Sequence, residues 1–327
     1  MRSLHHLGAT AVALFCCTSG TTHAQNAMLK APTRGLVSNE VDNTISDVDL
    51  STGAVRKTFP VGQRPRGIAV TADGSTAYVA LGREGVIAVV DLRRDSVVAR
   101  IPCGQDPEQI TLDPGRPVVY VSNEETAHAT AVDVARQTIL WSAAVGTEPD
   151  GVALTSLGRV YVANESSNSV SALDAKSGAV LATIHIDGRP RFLGTSPHGD
   201  RLYVDAENGG TFNVVDPQTN TVVKSVASGD STKPSGIVAA PDGRAVYFAN
   251  GRADRVAIVD VGTMTITGTI PVGHRPWGIA ISPDGSTLYT ADGRSDQVSV
   301  IDVAKRMVLR TTHVGSHPYA VVLVPSP

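Results

Sequence analysis

A phrase that returns about every 42 residues is the feature that most constrains the fold of this chain. In its first copy, VGQRPRGIAV at residues 61–70, a polar loop around Pro65 runs straight into an apolar stretch. Six later copies follow at intervals of 42, 42, 41, 44, 42 and 42 residues, and their prolines are Pro107, Pro149, Pro190, Pro234, Pro276 and Pro318. A sevenfold repeat of this length predicts an array of similar supersecondary units.

Each unit contains four short apolar runs and no helical periodicity. In the clearest copy the runs lie at 278–282, 287–291, 297–301 and 307–314, and turn residues such as Pro283, Asp284 and Gly285 separate them. An aspartate ends the third run of every unit, and the seven are Asp49, Asp91, Asp133, Asp174, Asp216, Asp260 and Asp302. Four short antiparallel strands per unit are typical of a propeller blade.

The two ends of the repeat array hold complementary parts of one unit. The array begins with second, third and fourth strands at 35–39, 44–49 and 54–61, and it ends with a lone first strand at 319–324. We therefore predict an all-β fold over residues 35–327, a seven-bladed β-propeller of four-stranded antiparallel blades. The N- and C-terminal strands close its last blade, which removes free sheet edges. A linear β-solenoid is the alternative, but split terminal units serve no purpose in an open stack.

The first residues follow a different pattern. Arg2 precedes an apolar run at 7–17, and small polar residues then lead to Ala24. This pattern predicts a secretory signal peptide over residues 1–24, cleaved after Ala24, a linker over 25–34, and a periplasmic or secreted mature protein without a membrane span. A lipoprotein anchored at Cys16 or Cys17 is the alternative, against which the bulky Phe15 argues.

Composition argues against several classes of function. The formal net charge of -3 favours neither nucleic acid nor an anionic membrane as a partner. Removal of the leader leaves Cys103 as the one cysteine, so the mature sequence offers no internal disulfide and no cysteine cluster for zinc or haem.

Several phrases resemble a known repeat family. YVANESSNSVSALD, TIPVGHRPWGIAISPDGSTLY and DQVSVIDV are similar to the YVTN-type β-propeller repeat, and the resemblance covers essentially all of the chain after the leader. The ordered phrases VGQRPRGIA, CGQDPEQ, YVSNEE, VGTEPDGVA, GRPRF and AENGGTFNVVD resemble the periplasmic β-propellers associated with alcohol catabolism that depends on pyrroloquinoline quinone (PQQ). This resemblance implies a pathway context and supplies no mechanism. The quinoprotein dehydrogenases themselves are larger and carry a Trp-rich docking repeat, whereas this chain has two tryptophans.

The loop before the first strand of each blade opens on the mouth of the central channel, so we expect function to concentrate there. The predicted binding residues flank the repeated prolines, and they are Arg64, Arg66, Asp106, Glu108, Glu148, Asp150, Arg189, Arg191, Arg275, Trp277, His317 and Tyr319. Lys233 and Ser235 occupy the equivalent positions of one further blade. This order predicts an acidic sector on two adjacent blades that faces a wider basic one.

Three interpretations of these charges stay open. They pair around the rim, where exposed pairs contribute about 0 to 1 kcal/mol each. They recognise an anionic small molecule or a partner protein, with arginine forks for carboxylates and an apolar wall of Trp277 and Tyr319. Or they bind a metal, for which Asp106, Glu108, Glu148 and Asp150 offer the oxygen ligands of calcium although arginines flank them. No cofactor is predicted, and calcium is the alternative.

Two further groups of residues have ordinary explanations in the sequence. The loops between second and third strands hold Asn39, Glu40, Asn123, Glu124, Glu125, Asn164, Glu165, Glu207 and Asn208, which we expect to shape turns. His274 and His317 are expected to be solvated loop residues.

The leading hypothesis is a non-enzymatic periplasmic binding or accessory protein of PQQ-linked alcohol oxidation. Its partner would be a quinoprotein dehydrogenase or an anionic small molecule at the channel mouth. A metal-assisted hydrolase of the lactonase type is one alternative. A propeller that binds single-stranded nucleic acid is another, and the acidic sector and the aromatic content of 4% argue against it.

Overall fold

A computed structural model describes residues 34–228 and 233–325, in which 28 β-strands form. The first half of the strands comprises β1 (Arg34–Asn39), β2 (Thr44–Asp49), β3 (Val55–Pro60), β4 (Pro65–Val70), β5 (Thr76–Leu81), β6 (Val86–Asp91), β7 (Ser96–Pro102), β8 (Pro107–Leu112), β9 (Val118–Asn123), β10 (His128–Asp133), β11 (Thr138–Ala144), β12 (Pro149–Leu154), β13 (Arg159–Asn164) and β14 (Ser169–Asp174). The second half comprises β15 (Val180–His185), β16 (Pro190–Thr195), β17 (Leu202–Ala206), β18 (Thr211–Asp216), β19 (Thr221–Ala227), β20 (Pro234–Ala239), β21 (Ala245–Asn250), β22 (Arg255–Asp260), β23 (Thr265–Pro271), β24 (Pro276–Ile281), β25 (Thr287–Asp292), β26 (Gln297–Asp302), β27 (Met307–His313) and β28 (Pro318–Val324).

The strands form seven four-stranded antiparallel sheets, which confirms the predicted propeller. Blades 1 to 6 are the sheets β4–β7, β8–β11, β12–β15, β16–β19, β20–β23 and β24–β27. Blade 7 has the order β28-β1-β2-β3, so strands from both ends of the array share one sheet and close the ring as predicted. In the closing pair, Val37 lies opposite Val321.

The predicted linker is one residue too long. Arg34 belongs to β1, because its guanidinium donates to Asp47 of the next strand at 3.0 Å and to Asp95 of blade 1 at 2.5 Å. The first bond ties the start of the strand to its own blade, and the second ties it to the neighbouring blade. The predicted leader and the rest of the linker lie outside the described residues.

Two repeated residue types have clear structural causes. The aspartates that end the third strands cap the following turn. Asp174 shows the pattern, accepting backbone N–H groups of Lys176 at 3.1 Å and Ser177 at 2.8 Å. The glycine two residues after many of the prolines allows neighbouring innermost strands to approach closely. At Gly151 a Cβ atom would lie 2.4 Å from the carbonyl oxygen of Arg191 on the next blade.

Apolar side chains fill the spaces between the blades. Phe212 of blade 4 and Phe248 of blade 5, for example, are fully buried and stack with their ring centroids 5.6 Å apart. In residues 34–228 and 233–325 we find no helix of the length and apolarity that a membrane crossing requires.

Candidate functional site

The repeated prolines begin the innermost strands, and the residues on either side of them form two concentric rings at the channel mouth. The inner ring follows the prolines and consists of Arg66, Glu108, Asp150, Arg191, Ser235, Trp277 and Tyr319. The outer ring precedes them and consists of Arg64, Asp106, Glu148, Arg189, Lys233, Arg275 and His317. All seven outer-ring residues have positive φ, between 48° and 66°. Because every blade shares this uncommon backbone conformation, it is a property of the repeat and does not by itself mark a ligand site.

A third set of seven residues borders the mouth, and we call it the loop ring. Each member is the first residue after a second strand, and the set consists of Glu40, Gly82, Glu124, Glu165, Glu207, Gly251 and Gly293. Their backbone N–H groups donate to the carbonyl oxygens of the outer ring at 2.9–3.0 Å. The sequence interpretation of these loops as turn formers was therefore incomplete. Their backbones fix the outer ring, and the side chains of Glu40, Glu165 and Glu207 bind its arginines.

The asparagines beside the loop ring also differ from expectation. Asn164 is fully buried at the end of β13 and donates from Nδ2 to the hydroxyl groups of Ser169 and Ser171 at 3.1 and 3.0 Å. Positive φ occurs instead at Asn168, later in the same loop. Asn164 thus fixes the third strand of its blade, a role that its position before a loop does not reveal.

The first charged cluster joins blades 7, 1 and 2. Arg66 Nη1 lies 2.7 Å from Glu108 Oε2, and Arg64 Nη2 lies 2.9 Å from Glu108 Oε1. Both arginines also bind Glu40, and Arg64 forms an ion pair with Asp106. Glu108 is fully buried, and this burial raises its pKa well above the usual range although Arg66 opposes the shift. The cluster is internally paired and offers few free donors.

The second charged cluster spans blades 3 to 6. Arg191 Nε lies 2.7 Å from Asp150 Oδ2 and 2.9 Å from Glu165 Oε1, and Arg189 also pairs with Glu165. Burial raises the pKa of Glu165 to about 8. The neighbouring Asp150 adds to this shift, and Arg191 and Arg189 oppose it. Glu165 therefore holds a proton near neutral pH beside the buried side chain of Asp150.

Glu207 is the carboxylate on which the cations of the second cluster converge. Its oxygens lie 3.1 Å from Arg275 Nη2, 3.7 Å from Lys233 Nζ and 3.7 Å from Arg191 Nη1. Arg189 Nε lies 3.8 Å away. Among the described residues, Lys233 and Arg275 have no other carboxylate within 4.0 Å. These two cations are therefore the least compensated of the cluster.

The aromatic residues of the inner ring have different roles. Trp277 is half-buried and lies between two guanidinium groups, 4.7 Å from Arg191 and 4.3 Å from Arg275. Tyr319 is 2% exposed, lies under Arg66 at 4.5 Å, and packs against Phe192 with ring centroids 6.2 Å apart. The predicted wall of two aromatic rings is thus reduced to Trp277, because Tyr319 is part of the packed interior.

Polar contacts hold Tyr319 in place across the channel. Its hydroxyl accepts a hydrogen bond from Gln109 Nε2 at 3.2 Å and donates one to Asp150 Oδ1 at 3.4 Å. Burial raises the pKa of Tyr319 above its usual value. Residues of blades 2, 3, 4 and 7 therefore meet around the side chain of Tyr319.

The predicted opposition of an acidic and a basic sector does not describe the mouth. The acidic residues of blades 2 and 3 pair with arginines of the adjacent blades 1 and 4 instead of facing them across the opening. Glu148 and His317 are the most exposed predicted residues. The side chain of Glu148 is 44% exposed and lies 3.8 Å from Arg189.

The four carboxylates predicted as weak metal ligands are not brought together. Within the part of the chain that the structure describes, the carboxylates close enough to share an ion are those of Asp106, Glu108 and Glu124, whose oxygens lie within 4.8 Å of one another. Glu124 was not among the predicted ligands. Since Arg64 and Arg66 already bind Asp106 and Glu108, a cation would have to compete with both guanidinium groups.

Comparison with known families agrees with this architecture. Residues 156–322, just over half of the chain, match the family model described as "Lactonase, 7-bladed beta-propeller". Residues 13–117 match a model described as "YNCE-like beta-propeller". No significantly similar relative is found among curated proteins.

Solved structures share the fold at low sequence identity. A functionally unknown protein from Desulfotomaculum acetoxidans superposes with a TM-score of 0.79 at 16% identity, covering 90% of this chain and 100% of that one. A "putative 6-phosphogluconolactonase" from Bacteroides fragilis gives 0.76 at 18% identity, with coverages of 91% and 99%. Hydrazine synthase from Kuenenia stuttgartiensis gives 0.72 at 19% identity, with coverages of 80% and 90%.

Proposed function

The chain belongs to the family of seven-bladed β-propeller lactonases, and on that premise we propose that it binds a small carboxylate at the channel mouth. The convergence of four cationic side chains on Glu207 carries the proposal. Arg275 contacts Glu207 through one nitrogen and stacks on Trp277, so its guanidinium fork retains donors for a ligand.

Charge counting around the second cluster supports an anion. The cluster has four cations, Arg189, Arg191, Lys233 and Arg275, and four carboxyl groups, Glu148, Asp150, Glu165 and Glu207. Because the pKa of Glu165 is raised to about 8, this carboxyl group is largely protonated at pH 7, and the cluster then has an excess of one positive charge. A carboxylate beside Arg275 and Lys233 would neutralise it.

Trp277 provides the test, because it lies between two arginines of the cluster. The other tryptophan, Trp141, packs on Tyr120 in blade 2, so a Trp141→Phe variant leaves Trp277 as the sole indole. Titration of this variant with gluconate is expected to change its fluorescence in a saturable manner. Lys233→Gln in the same background should weaken binding roughly tenfold, the usual effect of losing one hydrogen bond to a charged group.

The matched control is Lys176→Gln, since Lys176 is an exposed lysine in a turn on the opposite face of the ring. It should bind gluconate as the parent does. Equal affinity in the Lys233 and Lys176 variants, or no saturable change with gluconate at all, would show that the mouth is not the binding site.

The buried pair of Asp150 and Glu165 favours lactone hydrolysis as a second candidate function. As a carboxylate, Glu165 would take a proton from water while the water oxygen bonds to the lactone carbonyl carbon. The bond from that carbon to the ring oxygen then breaks, and the proton returns to the ring oxygen to give the hydroxy acid. Arg189 and Arg275 are the cations available for the developing oxyanion.

Ring opening of glucono-δ-lactone, followed by proton NMR, tests this candidate. Wild-type protein should exceed the spontaneous rate, and Glu165→Gln should return to it, whereas Glu148→Gln should retain the activity. Measuring the activity with a chelator and with added calcium tests the metal-assisted mechanism. Activity that survives the chelator argues against a role for Asp106 and Glu108 as metal ligands. A wild-type rate equal to the spontaneous rate rejects hydrolysis of this lactone.

The link to PQQ-dependent alcohol oxidation and the periplasmic location are part of the proposal, and the ordered phrase resemblance and the N-terminal pattern support them. N-terminal sequencing of the exported protein should begin at Gln25. Light scattering of the purified protein mixed with a PQQ-dependent alcohol dehydrogenase should detect a complex. Scattering masses that match only the two separate proteins at micromolar concentration would rule out the proposed partner.

A further inference from the structure

The outermost strand of each blade is an exposed sheet edge. Among the 28 described strands, β3, β7, β11, β15, β19, β23 and β27 each pair with one neighbour, which leaves one side of their backbone without a partner strand. Charged side chains usually protect such edges, because an unprotected edge pairs with other chains. β3, β7, β19 and β27 each carry a lysine or an arginine. The sequences of β11, β15 and β23 contain no Lys, Arg, Asp or Glu, so these three edges lack the usual protection.

β11 and β15 also expose large aliphatic side chains. Each outermost strand has one bulge residue, which has no partner in the third strand of its blade, and the seven are Arg56, Val98, Leu140, Leu181, Val223, Thr267 and Leu309. Leu140 and Leu181 are 47% and 48% exposed, and the residues before them, Ile139 and Val180, are 48% and 50% exposed. In β23 the bulge residue is a threonine. Of the seven described outermost strands, β11 and β15 are therefore the two that combine an uncharged edge with an exposed aliphatic pair.

β11 and β15 lie on adjacent blades and form one surface, which we call the blade 2–3 edge. Trp141 of β11 donates its indole N–H to the carbonyl oxygen of Ala175 in blade 3 at 3.3 Å. The indole leaves no room for a Cβ atom at Gly178, which would lie 2.7 Å from Trp141 Cδ2. The strands on either side, β7 and β19, carry Arg100 and Lys224. An apolar centre between charged margins is the pattern of a protein interface.

We propose that this protein forms a two-fold dimer in which the blade 2–3 edge packs against the same edge of a second copy. With the axis parallel to the perimeter, β11 faces its own copy and β15 faces its own copy, each in antiparallel orientation. A strand that meets its own copy brings identical charges together, so a self-paired edge has to be free of them. β11 and β15 meet this condition, whereas the same pairing of β7 or β19 would oppose Arg100 or Lys224 to an identical cation.

The size of the surface also fits a second copy. A stable interface takes roughly 20–30 residues and about 800 Å² from each partner. β11 and β15 have seven and six residues, and the flanking β7 and β19 have seven each, which makes 27 in all. A single extended peptide would add to one of the two uncharged edges and leave the aliphatic pair of the other exposed. A second copy covers both edges at once.

Sedimentation velocity of the purified protein at micromolar concentrations tests the proposal. Wild-type protein should sediment as a dimer. Leu181→Arg should weaken dimerisation at least about tenfold, because the two-fold contact opposes the new cation to its own copy. The matched control is Leu309→Arg at the bulge residue of blade 6, which is 49% exposed and should leave dimerisation unchanged. Both leucines are about half exposed, so both variants are expected to fold as the parent does.

A second pair of variants gives an independent measurement. Thr183 and Thr311 are both exposed, and each lies two residues after the bulge residue of its strand. Thr183→Lys should weaken dimerisation as Leu181→Arg does, because a lysine protects a sheet edge from pairing. Thr311→Lys in β27, which already carries Arg310, should have no effect.

Three results would overturn the inference. Wild-type protein that stays monomeric would do so and would point to a different protein as the occupant of the edge. Species larger than a dimer would exclude a closed two-fold contact. Equal losses in the edge and control variants would show that association does not use β15. Gluconate binding should be the same in Leu181→Arg as in wild-type protein, because the edge lies on the perimeter and not at the mouth, so the two proposals fail separately.

Discussion

Replacement of Glu165 by glutamine should change how stability depends on pH. The folded-state pKa of Glu165 is raised from its ordinary value of 4.5 to about 8, because burial and Asp150 disfavour its ionised form. An acid with a raised folded-state pKa holds more protons when folded than when unfolded, so its contribution to stability falls as pH rises through that window. Glutamine mimics the protonated side chain and does not titrate.

The magnitude follows from the distance in pH to the folded-state pKa. At pH 6, which is two pH units below the folded-state pKa, protonation of Glu165 adds about 3 kcal/mol to the free energy of unfolding. At pH 9 this contribution has vanished. The free energy of unfolding of wild-type protein should therefore fall by about 3 kcal/mol between pH 6 and pH 9 relative to Glu165→Gln. At roughly 2 °C per kcal/mol, this corresponds to about 6 °C in melting temperature.

Urea unfolding followed by circular dichroism at pH 6, 7, 8 and 9 measures this difference. Glu148→Gln is the control, because the Glu148 side chain is 44% exposed at the same mouth, and its profile should run parallel to that of wild-type protein. Parallel profiles for wild type and Glu165→Gln would refute the argument, since they would mean that Arg189 and Arg191 keep Glu165 ionised throughout.

Three further predictions concern packing and the interior charges. Arg191→Met should lower the free energy of unfolding by about 3 kcal/mol or more, because it leaves buried carboxylates unpaired. The control is Arg94→Met, at a side chain that is 76% exposed, which should lower it by less than about 1 kcal/mol. Chemical denaturation measures both values. Gly151→Ala should destabilise by about 1–3 kcal/mol through its clash with the next blade, and Gly115→Ala, where the nearest atom lies 3.7 Å away, should be nearly neutral by the same assay; equal melting temperatures would contradict this. Cys103 is buried and its pKa is raised to about 12 by that burial, so Ellman's reagent should label it only after unfolding, and rapid labelling of native protein would be the contrary result.

The architecture was predictable from the sequence because its signals are periodic. The prolines mark the starts of the innermost strands, and the aspartates cap the turns after the third strands, so both recur with the blade. The split seventh blade followed from the incomplete units at the two ends. Only boundaries were displaced, as at Arg34, where long-range bonds to Asp47 and Asp95 extend the strand.

The site was predictable in position and much less in character. The residues around the prolines do line the mouth, but their degree of burial depends on packing between blades that the repeat pattern does not show. Arg66 and Arg191 are predicted at the mouth from their place beside the prolines, but the repeat does not show that both lie in largely buried ion-pair networks. Glu165 and Glu207 are predicted as turn residues because they lie in loops with asparagine, a residue that favours turns. Aligning the first residue after every second strand shows glutamate in four blades and glycine in three.

The shared seventh blade also sets an order for folding. Each of blades 1 to 6 is one continuous segment, so its hairpins form from contacts that are local in sequence. The pairing of β1 with β28 joins the two ends of the array, and this contact has the largest loop-closure entropy in the molecule. As the chain leaves the ribosome or a translocon, β1, β2 and β3 must wait for the last strand. Ring closure is therefore the slow, non-local step, and until it occurs the edge of β1 that pairs with β28 is the surface that a chaperone has to protect.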